Sequence, residues 1–299
     1  MTLPLVTVIC ICYNHEEFVQ QALLSVLNQS YKNIELIVVN NGSSDNSYKK
    51  IRQLLNALPS VKLLNFSGTV SNTIAFNKAF KQANGTYLVD LSADDVLLPH
   101  AIETQVNFFL KQSDQVALIF GNAYHINEKN VRTEPYFEIN EFGKVTDQSL
   151  FDTNYKKLLA GGLCMCSVAS MFTANHFKTL GGYNEQLFFE DLDYWLRLSK
   201  RFKISFLDEI IVEKRFIPKS LGNQFHKNEL FSKRITQSVM QIFEDSLHRN
   251  TEKDEYTALL KRIHHNMERS VQNKQWLNLI RFTFLEAKCR IYRIYSFFK

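Results

Sequence analysis

Apolar and polar positions fall into blocks along the first two thirds of the chain. VTVICICY (6–13) is β-branched and apolar on both faces, the pattern of a strand buried within a parallel sheet. A helix follows, in which Phe18/Val19, Ala22/Leu23 and Val26/Leu27 recur every four residues and make an apolar stripe. IELIVVN (34–40) repeats the buried-strand pattern, and Ser44–Leu58 predicts a helix that stops before Pro59. VKLLNF (61–66) predicts a third, short strand. Thr73–Ala83 predicts a helix with Ile74, Phe76 and Phe80 on its apolar face and Asn84-Gly85 as its C-cap. TYLVDLSADD (86–95) predicts a fourth strand that runs into acids.

This alternation is the doubly wound α/β pattern, a mostly parallel sheet with helices on both faces. Ligands of such sheets bind outside the carboxyl ends of the strands. Tyr13-Asn14, Asn40-Asn41 and Asp94-Asp95 all fall at those ends and should converge on one rim. Further along, Pro99–Leu110 predicts a helix and VALIFGNAY (116–124) a strand. Residues 127–160 are polar and irregular, a loop with short helices, and 163–173 fits a strand pair or a strand leading to a helix. A Gly181-Gly182 turn leads to a helix from about Asp191, and 206–216 predicts a late strand. Residues 225–299 contain neither Pro nor Gly and predict helices throughout. A boundary near 222 therefore separates an α/β domain (1–222) from a C-terminal helical extension (223–299).

Composition narrows the function. The net charge is +5, and 271–299 accounts for all of it with six cations and one acid, so the main body is neutral and nucleic acid is not its expected partner. No uncharged apolar run reaches the roughly 18 residues that a spanning helix needs. The N-terminus lacks a charged region and a cleavage-like site, so no signal peptide is expected. Cys10, Cys12, Cys164, Cys166 and Cys289 have no zinc-like spacing and read as free thiols of a cytoplasmic protein. There is no GxGxxG after the first strand, no GxxxxGK[ST] and no GxSxG, which argues against a dinucleotide dehydrogenase, a P-loop NTPase and an α/β-hydrolase.

Two acidic stretches carry the candidate chemistry. Adjacent aspartates in SADDVLLP (92–99) repel unless a cation sits between them and a ligand, and hard oxygen donors suit Mg²⁺ or Mn²⁺. The alternative is a solvated turn or helix start. FFEDLDYW (188–195) offers Glu190, Asp191 and Asp193. These either complement a helix dipole or supply a general base, which the two preceding phenylalanines would partly desolvate. Asp193, two residues on from Asp191, is expected to face elsewhere, toward solvent.

VTVICICYN, SVLNQSYKNIELIVVNNGSSDNS, NKAFKQANGTYLVDLSADDVLLP and LGGYNEQLFFEDLDYWLRL, in this order over roughly 5–222, resemble the family 2 glycosyltransferases with the GT-A fold. The resemblance implies inverting transfer of a sugar from a nucleotide-diphosphate sugar to an acceptor hydroxyl, in synthesis of a surface polysaccharide or glycolipid. It places Tyr13 against the nucleobase, Asn41 where an aspartate usually accepts from the base, and Asp94 in the ribose or metal region. It implies Asp95 as the ligand of the divalent metal and Asp191 as the catalytic base, with Glu190 beside it. Gly161-Gly162 would form the acceptor-side floor, and Arg215 and Lys219 would meet the diphosphate. Two departures stand out: amides replace the usual acids at 40–41, and VEKRFIPKSLGNQ (212–224) lacks a metal-binding His. They motivate an alternative, a nucleotide-sugar binder without turnover. A nucleotidyltransferase is a further alternative, but ICYNHEEF lacks the Gly-rich and basic phosphate loop it would need.

The tail NKQWLNLIRFTFLEAKCRIYRIYSFFK (273–299) interleaves cations with Trp276, Ile280, Phe284 and Ala287 at helical spacing. It fits an interfacial helix at the inner face of an anionic membrane. It fits equally a helix packed on its own domain or on a second subunit of a homo-oligomer. The acceptor expected is a glycan or glycolipid.

Overall fold

In the computed structural model, residues 3–162, 165–189, 191–217 and 229–296 are described. Four parallel strands form one half of the sheet: β1 (Val6–Cys12), β2 (Ile34–Asn40), β3 (Lys62–Asn65) and β4 (Tyr87–Ser92). β1 is buried at every position, as its two-sided apolar sequence requires. Its register pairs Cys12 with Asn40 and Ile11 with Ser92, so the carboxyl ends of β1, β2 and β4 lie side by side.

The other half is mixed. β5 (Val96–Leu97), β6 (Val116–Ile126), β8 (Ser170–Thr173) and β9 (Lys203–Arg215) complete the order β3-β2-β1-β4-β8-β6-β9-β5, and β7 (Arg132–Pro135) pairs with β6. β6 and β9 run parallel, while β8 is antiparallel to both β4 and β6. The sheet is thus mostly parallel with helices packed on it, the α/β architecture expected.

Several segments differ from the sequence pattern. The expected strand 86–95 ends at Ser92, because Asp95 N–H turns back to Ser92 O at 3.1 Å and the chain re-enters the sheet as β5 beside β9. The segment 163–173 resolves, in its described part, into a 3₁₀ turn (Ser167–Ala169) and β8, followed by a helix from Ala174. Asn84-Gly85 does not cap the preceding helix, which ends at Phe80. Gly85 lies against β1, where a Cβ would meet Thr7 N at 2.5 Å, so a side chain there would push the two strands apart.

In chain order the helices are α1 (Val19–Leu27), α2 (Ser47–Leu55), α3 (Asn72–Phe80), α4 (Ala101–Phe109), α5 (Tyr155–Ala160), α6 (Ala174–Thr179) and α7 (Asp191–Ser199). Three longer ones follow: α8 (Glu229–Arg249), α9 (Lys253–Gln272) and α10 (Trp276–Tyr295). The last three share the core of the sheet. Phe243 and Leu247 of α8, Leu259 and Ile263 of α9, and Phe282 and Leu285 of α10 join one continuous buried cluster with it. Tyr155 Oη on α5 donates to Asn250 Oδ1 at 2.6 Å, and Lys200 pairs with Glu255. The boundary expected near 222 lies outside the described residues. Among the described residues no helix is long and apolar enough to cross a membrane.

Candidate active site

The loops that follow β1, β2 and β4 surround a cavity of about 790 Å³. The first two loops lock onto each other. Asn14 has φ +55°, a left-handed conformation that Asn tolerates, and its Oδ1 accepts Ser44 N–H at 2.8 Å. Asp45 Oδ1 accepts Ser47 N–H at 2.9 Å and Oδ2 accepts Glu16 N–H at 3.0 Å. Burial alone would raise the Asp45 carboxyl, but the hydrogen bonds from Ser47 and Glu16 outweigh it and hold the group below the usual range. Tyr13, His15 and Asp45 line the cavity.

Asn41, expected against a nucleobase, is not among the residues that line it. Its Nδ2 donates to Val70 O at 2.9 Å, while its Oδ1 accepts Val70 N–H at 3.0 Å. The side chain is 1% exposed, so the amide is directed at the chain itself. A carboxylate could accept from Val70 N–H but would face Val70 O without a proton, which explains an amide at this position. Asn40 likewise donates to Asn65 Oδ1 at 2.7 Å.

The turn after β4 carries Asp94 and Asp95. Arg215, at the end of β9, braces it from behind. Arg215 N–H donates to Asp95 Oδ1 at 2.8 Å, and its Nε donates to Asp94 O at 2.8 Å. Three further donors reach Asn127 O, Gln21 Oε1 and Asn130 Oδ1 at 2.8–2.9 Å, and its guanidinium lies 4.4 Å from the Phe18 ring centre. Arg215 thus holds the aspartates in place, and it also lines the cavity. Lys214, its neighbour on the strand, lines the cavity too.

Burial, reinforced by the charge of Asp94, pushes Asp95 well above the usual carboxylate range, against the pull of Arg215 N–H. Asp94 Oδ1 accepts from the Ser92 hydroxyl, and His15 Nδ1, buried with no hydrogen-bond partner, lies 3.7 Å from the same oxygen. Among the described residues no three His, Cys, Asp or Glu groups gather as a ready-made metal cluster. The donor set nevertheless fits Mg²⁺ or Mn²⁺ in the manner usual for these ions, one or two carboxylates with the substrate phosphates completing the shell. Asp95 Oδ2, Asp94 and His15 Nδ1 are the groups that would supply it.

Asp191 begins α7 at the far side of the cavity, its Oδ1 accepting Leu192 N–H at 2.7 Å. Burial raises its carboxyl above the ordinary range, against that hydrogen bond and the charges of Lys214 and Arg262. Asp193 does face away, but into the protein: it is 2% exposed and accepts from Arg197 Nε at 2.7 Å, so the expected solvent exposure is corrected. Glu190 lies outside the described residues, as does Lys219.

A second cavity, about 840 Å³, opens on the other side of Asp191 between α5, α7 and the helices α9 and α10. Gly161 and Gly162 line it, with φ +92° and +109°. A Cβ on Gly161 would lie 2.4 Å from Arg262 Nη1, so glycine lets that guanidinium lie against the loop. Asp191, Ser167, Trp195 and Lys214 line both cavities.

Three groups were not singled out from sequence: His15, Lys214 and Asp90. Asp90 sits mid-strand in β4, accepts from Tyr183 Oη at 3.1 Å and lines the first cavity with Asp191. Burial pushes it up to about 7, the Tyr183 hydrogen bond opposing and the charge of Asp191 adding. An acid between Val89 and Leu91 in an otherwise apolar strand was the available signal.

Comparison with known proteins bears on this arrangement. The model for "Glycosyl transferase family 2" matches residues 7–177. A Rickettsia felis protein described as an uncharacterized glycosyltransferase is 29% identical over 219 residues, covering 71% of this chain and 34% of its own; the chain spans about a third of that relative's length. Staphylococcus aureus TarS 1-349 in complex with UDP-GlcNAc superposes with a TM-score of 0.64 at 15% identity, over 97% of this chain and 89% of that one. The mannosyltransferase PcManGT from Pyrobaculum calidifontis, in complex with GDP-Man and Mn²⁺, gives 0.61 at 14% identity, over 99% and 86%. Those two likenesses establish the GT-A-type fold, helices at the C-terminus included. With the family model matching more than half of its length, from β1 through the aspartate turn to α6, the chain belongs to glycosyl transferase family 2.

Proposed function

We propose that the chain is an inverting glycosyltransferase that moves a sugar from a nucleoside-diphosphate sugar to an acceptor hydroxyl. One observation carries this: Asp191, a carboxylate raised by burial, stands where two cavities meet, one holding the paired aspartates and the other open to an acceptor. The donor lies in the first cavity, its base toward Tyr13 and its diphosphate toward Asp94, Asp95 and Lys214. A divalent metal held by Asp95 and Asp94 would offset the charge that builds on the departing diphosphate. The acceptor hydroxyl approaches from the second cavity. Asp191 takes its proton as the oxygen bonds to the anomeric carbon, and the bond to the diphosphate oxygen breaks with its electron pair leaving on the nucleoside diphosphate. A single displacement from the opposite face inverts the configuration, and oxocarbenium character develops at the anomeric carbon by analogy with glycoside hydrolysis. The raised pKa makes Asp191 a stronger proton acceptor than an exposed carboxylate.

Neighbours bound to UDP-GlcNAc, and to GDP-Man with Mn²⁺, support a nucleotide-sugar donor and a metal. The amide at Asn41, which motivated the binder-only alternative, is accounted for by Val70. The test is a titration with UDP-, GDP- and dTDP-sugars, with and without Mn²⁺, following binding and slow donor hydrolysis. Binding of one donor class, strengthened by Mn²⁺, is expected; no binding by any of them ends the transferase reading.

The same proposal places the enzyme peripherally on the inner face of a membrane, building a surface polysaccharide or glycolipid. α10 supports it. Phe282, Leu285 and Cys289 face the core, yet Leu277, Phe284 and Tyr295 are 62%, 69% and 67% exposed, with Trp276, Ile280, Ile291 and Ile294 also open. Arg281, Lys288 and Arg290 intersperse with them. An apolar row flanked by cations fits an anionic lipid surface. Full-length protein should pellet with anionic liposomes, and substitution of Leu277, Phe284 and Tyr295 by Ser should release it. Equal pelleting by both would remove the interfacial helix.

A further inference from the structure

The first cavity does not stop at the aspartate turn. It continues down β4 to Asp90, two residues before Ser92 and so about 7 Å further along the strand. Leu88, Val89 and Leu91 around it are sealed in the core, yet Asp90 is only half-buried, because the cavity reaches it. Its Oδ2 accepts from Tyr183 Oη at 3.1 Å, and among the described residues its Oδ1 has no partner. Tyr183 is itself held. Its N–H donates to Asn77 Oδ1 at 3.0 Å, Asn77 Nδ2 donates to its carbonyl at 2.8 Å, and its ring lies edge-on to those of Phe177 and Tyr194. The acid is therefore fixed at one oxygen and unengaged at the other. Phe172 and Trp195 line the same cavity, and so does Tyr194, one turn on from Asp191. The Tyr194 hydroxyl is buried with no hydrogen-bond partner among the described residues, so this wall holds more polar capacity than the fold uses.

This inference rests on the transferase reading, which puts the nucleobase toward Tyr13, the diphosphate at Asp94, Asp95 and Lys214, and the acceptor hydroxyl at Asp191. The anomeric carbon must then come within about 3.5 Å of the attacking oxygen, so the transferred sugar occupies the stretch of cavity between the aspartate turn and Asp191. Asp90 lies on that stretch, close enough for the charge of Asp191 to bear on it. We propose that Asp90 selects the donor sugar, its Oδ1 bonding one hydroxyl of the transferred sugar while Tyr183 holds Oδ2. A hydroxyl both donates and accepts, so it can pair with the carboxyl in either protonation state. The rings of Phe172 and Trp195 suit the C–H faces of a sugar, since ligand pockets combine apolar walls with a few placed polar groups. A site that bonds a hydroxyl rejects an analogue lacking it far better than a site that only fits its shape, because its own polar group is left unpaired. Asp90 thus favours a hexosyl donor over its counterpart deoxygenated at the position it reads.

The experiment uses the full chain with Mn²⁺ at saturation. UDP, GDP and dTDP are titrated by calorimetry alongside their hexose and N-acetylhexosamine conjugates. The donor that binds best is then compared with analogues deoxygenated at one carbon at a time. One analogue should bind the unaltered protein about tenfold or more weakly than the parent donor. Asp90→Ala should weaken the parent donor by the same factor and leave the free nucleotide within about twofold. It should also bind that analogue no worse than the parent donor, because the contact the analogue lacks is already gone. Tyr183→Phe keeps the ring and removes the hydroxyl that fixes Oδ2, so it should narrow the same gap between donor and analogue, and it serves where Asp90→Ala is unstable. A loss on Asp90→Ala that falls equally on nucleotide and nucleotide sugar overturns the proposal. So does a series whose members all bind as the parent donor does, or a penalty that survives both substitutions unchanged. If no nucleotide binds the unaltered protein, the transferase reading falls first, and the sugar site with it.

Discussion

On one side of Asp191 the cavity wall carries Asp45, Asp90, Asp94 and Asp95; on the other it carries Lys261, Arg262 and Arg269. The two cavities have similar volumes, about 790 and 840 Å³, so size does not distinguish them. Charge does. An acid-lined cleft repels a nucleoside diphosphate unless a cation comes with it, which is why the proposed donor site pairs the diphosphate with a divalent metal. A cation-lined cleft attracts an anion directly. The contrast teaches that the sign of a wall states what must be delivered along with the substrate, and Asp191 stands between the two signs with a proton-accepting oxygen.

The largest test of that picture removes the group both cavities share. Asp191→Asn keeps the size of the side chain and its acceptor oxygen but lowers its basicity. Transfer should fall by about 10²–10⁴-fold, while binding of the nucleotide sugar, which depends on the first cavity, stays within about twofold. Initial rates at saturating donor, with donor affinity measured separately, decide this. A variant that still transfers at a tenth of the normal rate would take the proton-accepting role away from Asp191.

Much of this contrast was legible in the sequence. β1 and β2 announced themselves because strands covered on both faces must be apolar at every position, and Asp94-Asp95 stood out because adjacent acids at a strand end need a reason. Asp191 was legible from its place before a helix. The rest depended on contacts across the fold. Asn41 is committed to Val70, 29 residues on, a pairing that no local pattern contains. Lys214 and Arg215, neighbours in one strand, both line the first cavity, and only the assembled sheet brings that strand's end beside the aspartate turn. The cations of α9 come beside Asp191 only because α9 packs against α5, which no local pattern contains. His264 likewise meets Glu286 of α10 at 2.8 Å, a pairing across two helices.

A smaller effect is expected behind the acid-lined wall. Asn41→Asp adds a carboxylate at the end of β2 and replaces the donor to Val70 O by an acceptor. A buried carbonyl that loses its partner and faces a charge should destabilise the fold by about 1–3 kcal/mol, several degrees in Tm. Donor preference across UDP-, GDP- and dTDP-sugars should not change, since Asn41 does not line the cavity. A shifted nucleobase preference would return Asn41 to the base-reading role.

The smallest effect separates the two cavities by pH. Asp90 is raised to about 7 in the folded protein, chiefly by burial, against an ordinary carboxylate value near 4 in the unfolded chain. Between those values the folded state holds a proton that the unfolded state has released. Stability therefore falls as pH rises through that window, since stability rises with pH only where the unfolded state binds more protons. The slope is at most about 1.4 kcal/mol per pH unit, a few degrees in Tm for a chain of this size. Asp90→Asn keeps an acceptor for Tyr183 Oη and has no proton to lose, so its Tm should be flatter than that of the unaltered protein between pH 5 and 7, and the two curves should run parallel above about pH 8. Lys261→Gln, on the opposite wall, should leave the slope as it is, because lysine does not titrate in that range. If Asp90→Asn shows the same slope as the parent, the proton resides on another carboxylate of the first cavity, and Asp90 is charged beside Asp191 throughout.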